Sequence, residues 1–202
     1  GDMMRRLGSF ACLLLMSALG PARAQDSSAQ FYQSKTISLV IGYSAGGGYD
    51  TYARLVARFL GEHIPGKPVV VPRNMPGASS LNAANHLYNV APRDGSVLGV
   101  VGQGIALSQM LEQSGIKFDA AKFSWIGRIT DVNDLIGVWN TSPVKTIAET
   151  KQTEVTIAIG AALSGSTLYV RFLNALTGTR LKPVAGYSSL ESLLAMERGE
   201  ID

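Results

Sequence analysis

The chain has 202 residues, 46% hydrophobic and 16% charged, with 22 Gly, 8 Pro and one Cys, a balance that excludes a disordered chain and allows one large domain or two small ones. The formal net charge of +3 sits at the start, where Arg5, Arg6 and Arg23 face only Asp2. The remaining residues are close to neutral, which excludes a basic face for nucleic acid, and the single Cys12 excludes an intrachain disulfide framework or a cysteine zinc site.

Arg5 and Arg6, an apolar run from Leu7 to Leu19, and Ala22-Arg23-Ala24 form a secretory signal with cleavage expected after Ala24. The run is shorter than the ~20 residues of a spanning helix, which counts against an uncleaved anchor. Cys12 lies inside the run and makes a poor lipoprotein signal. No later segment is apolar enough to span a membrane, so the exported chain is expected to be soluble.

Thr36 to Ile41 reads as a buried strand. A glycine loop follows, then a helix over Asp50 to Leu60 with Ala53, Val56, Ala57 and Leu60 on one stripe. Val69 to Val71 reads as a strand stopped by Pro72, and Asn74-Met75-Pro76-Gly77 as a turn. Ser79 or Ser80 is expected to cap a helix running to about Tyr88. Val97 to Val101 reads as a third strand and Ile105 to Gln113 as a helix.

Further strands are expected at Trp125–Ile129 and Leu135–Trp139, with Trp125 and Trp139 in the core. Thr146 with Glu149, and Ser188 with Glu191, have capping-box spacing. Val155 to Ile159 and Leu181 to Val184 read as strands. The loop Gly160 to Ser166 opens a helix through Leu176, closed by Gly178, and Gly199 closes a last helix. This alternation of strand and helix defines an α/β protein with parallel sheets covered by helices.

One arrangement recurs: an apolar strand runs into a Gly/Ser loop that opens a helix, at Ile37–Tyr52 and again at Val155–Tyr169. Helix starts present free N–H groups and a positive dipole end, and glycine lets a ligand approach them. Each is a potential anion site, and two facing each other would clamp a carboxylate. A bulky residue at Gly47 is expected to block that approach and to disfavour any positive φ there.

Gly46-Gly47-Gly48 lacks the third glycine of a dinucleotide fingerprint, since position 51 is Thr51, and no P-loop is present. Gly42-Tyr43-Ser44-Ala45-Gly46 matches the nucleophile elbow of an exported serine esterase. The only histidines, His63 and His86, suit a triad poorly and are a weak metal signal. Asp50 and Arg54 stand at ion-pair spacing, and Asp50 can instead accept N–H groups of the glycine loop. Tyr43, Tyr49 and Tyr187 lie in or beside loops, where ring and hydroxyl can line a cleft.

The segment from Ile37 through Gly42-Tyr43-Ser44-Ala45-Gly46-Gly47-Gly48-Tyr49-Asp50 to Arg54 resembles the opening of the Bug/TctC family, the extracytoplasmic solute receptors of tripartite tricarboxylate transporters. Val69 to Ala78, Ala91 to Gly95, Phe118-Asp119, Pro143 to Ile147, Ser164-Gly165-Ser166 and Gly199 to Asp202 follow in the family's order. Ser44 and Ala45 stand where prolines are common, and Ser80 where a second glycine is usual.

The resemblance implies a two-lobed, type II periplasmic-binding-protein-like α/β fold. Residues 25–124 would form the first lobe after the signal 1–24, and 125–202 part of a second lobe that family members continue further. It implies a periplasmic protein without cofactor, metal or catalysis. Such a protein captures a small organic anion, a carboxylate, and delivers it to the large and small membrane subunits of its transporter. By position, the ligand loops would be Tyr43, Ser44, Ala45, Gly46, Gly47, Gly48, Tyr49 and Asp50, then Ala162 to Thr167 with Ser164, Gly165, Ser166 and Thr167. Gly102, Gln103, Tyr187 and Ser188 would complete the rim.

Overall fold

The computed structural model describes residues 22–131, 133–160 and 164–202. The apolar run Leu7–Leu19, Cys12 and Ala162 lie outside the described residues, while Ala22 to Ala24 open the first helix, α1 (Ala22–Tyr32). That helix was not expected from the sequence. Its later part docks on the first sheet unit, where the Tyr32 hydroxyl donates to the Gly95 carbonyl at 3.2 Å.

The strand β1 (Thr36–Ile41) buries Ile37, Leu39, Val40 and Ile41. With both faces covered it must be central, and it is: β2 (Val69–Asn74) and β3 (Val97–Val100) flank it in parallel, in the order β2-β1-β3. The helix α2 (Gly48–Leu60) lays Ala53 and Ala57 against Leu39 and Ile41, with Leu98 joining the cluster. The helix α3 (Leu81–Asn89) covers the opposite face, where a Cβ on Gly99 would overlap Leu87. Ala84 of that helix packs with Ile105, Phe118 and Ala120.

Pro72 does not stop its strand. It sits in register with Leu39, inside an edge strand whose outer side has no ladder to donate to, where proline is tolerated. Ser80 occupies the cap position of α3, but its side chain makes no capping bond, because a left-handed backbone turns the hydroxyl elsewhere.

A short helix, α4 (Ile105–Met110), follows β3. The second sheet pairs β4 (Val155–Ile159) with β5 (Leu181–Ala185) in parallel. Val155 and Leu181 pack with Val170 of α5 (Gly165–Thr177) and with Val144. The last helix is α6 (Ser189–Glu197). The Thr146–Glu149 box forms reciprocally but opens only one 3-10 turn, Glu149–Lys151.

The strands expected at Trp125–Ile129 and Leu135–Trp139 are absent among the described residues. A strand exists only through a paired neighbour. Here the Trp125 indole N–H instead donates to the Ala120 carbonyl, and the Trp139 N–H to the Asp202 carbonyl. Nor are Trp125 and Trp139 core: they are 57% and 36% exposed, with Ile126 at 84% and Leu135 at 92%. No helix among the described residues is long and apolar enough to cross a membrane.

Ser188 closes a complete capping box on α6, accepting from Glu191 N–H while the Glu191 carboxylate accepts from Ser188 N–H at 2.7 Å. Ser188→Ala is expected to cost about 1 kcal/mol of stability, read as a lowered urea midpoint at unchanged slope.

Candidate functional site

Every candidate segment follows the carboxyl end of a parallel strand. Residues 42–47 follow β1, 101–104 follow β3, 160–164 follow β4 and 186–188 follow β5. Ligands of open parallel sheets lodge outside these ends. The two sheets turn these ends toward one another. A Cβ on Gly47 would lie 3.8 Å from Ser189 Oγ, one on Gly46 3.3 Å from Leu190 Cδ1, and one on Gly104 3.7 Å from Gly165 Cα. The starts of α2 and α6 therefore adjoin, as do the starts of α4 and α5.

The first loop is fastened from behind. Asp50 is buried, and its carboxylate accepts from Gly46 N–H at 2.9 Å, from Arg54 Nε at 2.9 Å and from Asn74 Nδ2 at 2.7 Å. Asn74 Nδ2 also donates to the Tyr43 carbonyl at 2.9 Å, and Asn74 Oδ1 accepts from Arg54 at 2.7 Å. Asp50 thus makes both bonds considered from the sequence, the Arg54 pair and the loop contact. The Arg54 guanidinium, then burial acting the opposite way, then the Gly46 and Asn74 donors set its carboxyl at about 2, below an ordinary 3.8. The role of Asn74, twenty residues beyond Arg54, was not visible in the sequence.

Tyr43 and Tyr49 stack with ring centroids 4.1 Å apart and planes 13° from parallel. The Tyr49 hydroxyl accepts from Gln103 N–H at 3.2 Å. Burial, followed by the adjoining Tyr49, pushes the Tyr43 hydroxyl well above the usual phenol range, so it remains a neutral donor. Ser44 and Ala45 are exposed. Positive φ falls at Gly46 (83°), whereas Gly47 is extended at φ −81°, ψ 173°. The backbone constraint considered for Gly47 therefore belongs to its neighbour.

On the other side, Ser164 caps α5 by accepting from Thr167 N–H at 3.3 Å, and the two hydroxyls lie 3.0 Å apart. Thr167 is buried, and Ser166 is exposed. Tyr187 and Ser188 are half-buried at the start of α6.

A serine hydrolase needs a histidine within hydrogen-bond reach of the nucleophile. Among the described residues neither histidine hydrogen-bonds Ser44. His63 closes the turn at the far end of α2, roughly 20 Å along the helix from the loop. The acid nearest in sequence, Asp50, is committed to Gly46, Arg54 and Asn74. Among the described residues no group of three His, Cys, Asp or Glu side chains could hold a metal. A groove of about 300 Å³ lined by Ala57, Arg58, Gly61, Glu62 and Val70 lies away from the candidate loops and contains none of their residues.

This architecture is that of the periplasmic-binding-protein-like α/β proteins. In structure the chain is similar to R. palustris Rpa4515 with adipate (TM-score 0.61, 22% identity, 83% of this chain and 57% of that one). It is similar to MatC (Rpa3494) from Rhodopseudomonas palustris with bound malate (TM-score 0.58, 20% identity, 83% and 58%). It is also similar to the periplasmic binding protein BugD (TM-score 0.58, 14% identity, 85% and 58%). At these identities the likeness is one of fold.

No family model matches the chain. In sequence it is 31% identical over 182 residues to a UPF0065 protein of Bordetella bronchiseptica, covering 88% of this chain and 53% of that protein. It is 32% identical over 203 residues to the UPF0065 protein in the TAR-I ttuE-ttuC' intergenic region of Agrobacterium vitis, covering 96% and 56%. The sequence thus relates the chain to the UPF0065, or Bug/TctC, proteins. It spans about half the length of the curated relatives it matches.

Proposed function

We propose that this protein is a periplasmic solute receptor without catalytic activity. It captures a small organic anion, a dicarboxylate, between residues of a first lobe (25–124) and a second (125–202), after removal of residues 1–24. It then delivers the ligand to the large and small membrane subunits of a tripartite transporter. One observation carries the reading: loops on the carboxyl ends of two separate parallel sheets adjoin, Gly46 and Gly47 beside Ser189 and Leu190, and Gly104 beside Gly165.

The loops offer backbone N–H groups and hydroxyls, and segments 43–49, 102–104, 164–167 and 187–190 contain no Lys or Arg. In this reading the carboxylates are held by charge-assisted bonds to neutral donors. Asp50 positions the loop and does not touch ligand, since it faces Arg54 and Asn74. The adipate and malate of the structural neighbours supply the ligand class.

Calorimetric titration of the whole protein with adipate, malate and a monocarboxylate control tests this. Saturable binding of a dicarboxylate, with no hydrolysis of model esters, is expected. Absence of binding across the panel, or ester turnover abolished by Ser44→Ala, would overturn it.

A further inference from the structure

Ala78, Ser79 and Ser80 are consecutive non-glycine residues at positive φ, 47°, 50° and 79°. Side chains rarely adopt that conformation, and it persists only where the surroundings over-determine it. Around Ser80 they do. The residue is fully buried, and its N–H donates to the Gly77 carbonyl at 3.0 Å. Its Oγ accepts from Gly102 N–H at 3.1 Å. A Cβ on Gly42 would overlap both Oγ and Cβ of Ser80. The left-handed turn therefore wedges one hydroxyl between the ends of β1 and β3, where the first-sheet loops leave for the cleft.

We infer that the Ser80 hydroxyl is a positioning group that sets the ligand selectivity of the cleft, an inference resting on the cleft being the anion site. Ser80 stands behind the rim and does not face the ligand. Accepting Gly102 N–H withdraws that donor from the cleft and fixes the plane of the Val101–Gly102 peptide, the one before the peptide that carries Gln103 N–H. The next N–H, of Gln103, is thereby aimed at the Tyr49 hydroxyl, and Gly104 is set against Gly165. Moving the rim by a fraction of an ångström would change the spacing between the first-sheet donors and those of the second sheet, and so the length of dianion that fits.

The test uses Ser80→Ala and Ser80→Gly in the whole protein. Both remove the acceptor; alanine keeps the strained Cβ and glycine relieves the strain. Three quantities are measured: amide exchange of Gly102 without ligand, global stability, and the ratio of adipate to malate affinity. Gly102 exchange is expected to quicken by about tenfold or more in both variants, although glycine is the more stable of the two. The affinity ratio is expected to shift by about threefold or more in both, roughly half of a tenfold step on a logarithmic scale. Gly102 protection that merely follows global stability, or an affinity ratio equal to the parent's in both variants, overturns the inference. Failure of the parent to bind either probe would sink the anion-site reading instead, while the exchange of Gly102, read without ligand, judges the positioning role by itself.

Discussion

Asp50→Ala is expected to destabilise the protein by about 2–4 kcal/mol and to abolish tight anion binding. Asp50 is 4% exposed in its side chain and Arg54 46%, so the acid is a buried charge and its partner can partly rehydrate. Removing one member of a buried pair costs about 3–5 kcal/mol, and the exposure of Arg54 lowers that figure. The substitution also orphans Gly46 N–H and one donor of Asn74, so the loop loses the bond that holds its turn. Urea unfolding and calorimetry check both effects. A change under about 0.5 kcal/mol would place Asp50 among ordinary surface acids.

The same carboxyl gives a pH signature. Its folded value near 2 lies below the ordinary 3.8, so its contribution is complete above about 3.8. It is lost as the pH falls through that value toward 2. Asp50→Ala should flatten this acid limb, and an unchanged limb would assign it to other carboxylates.

Gly46→Val is expected to weaken dicarboxylate binding by about a hundredfold, some 2.7 kcal/mol. A side chain at φ 83° costs about 1–2 kcal/mol, and a Cβ there already lies 3.3 Å from Leu190 Cδ1. The valine methyls would reach further and hold the two sheets' loops apart. Gly47→Ala is the control, because its backbone is ordinary and its Cβ would meet Ser189 Oγ at an easy 3.8 Å. Leu190→Ala should restore part of the Gly46→Val loss. Equal effects at the two glycines, without that rescue, would show that neither φ nor Leu190 matters.

Local chemistry made much of this legible. The apolar run of β1, the glycine loop after β1, the Ser188 box and the Gly178 stop are decided within a few residues, and each stands where the sequence placed it. What depends on remote partners was hidden. Leu135 to Trp139 is as apolar as a strand, yet pairing is settled by a neighbour that its composition does not encode. Pro72 reads as a stop unless the strand is known to be an edge. Ser80 reads as a cap, and only the tertiary approach of Gly42 and Gly102 shows where its hydroxyl goes. Asn74 is one polar residue after Arg73 until the fold brings it to Asp50.

Arg54, the cation nearest the first loop in sequence, spends its charge on Asp50 and Asn74. If this cleft holds an anion as proposed, the loops would attract it through fixed dipoles, whose field fades over a few ångströms, and not through the Arg54 charge acting over a Debye length. Electrostatic steering accelerates encounter only when such a long-range field exists. On the proposed reading, the protein would meet its ligand by unassisted diffusion and discriminate after contact, and its capture rate is expected to stay nearly level as the ionic strength of its surroundings rises and falls.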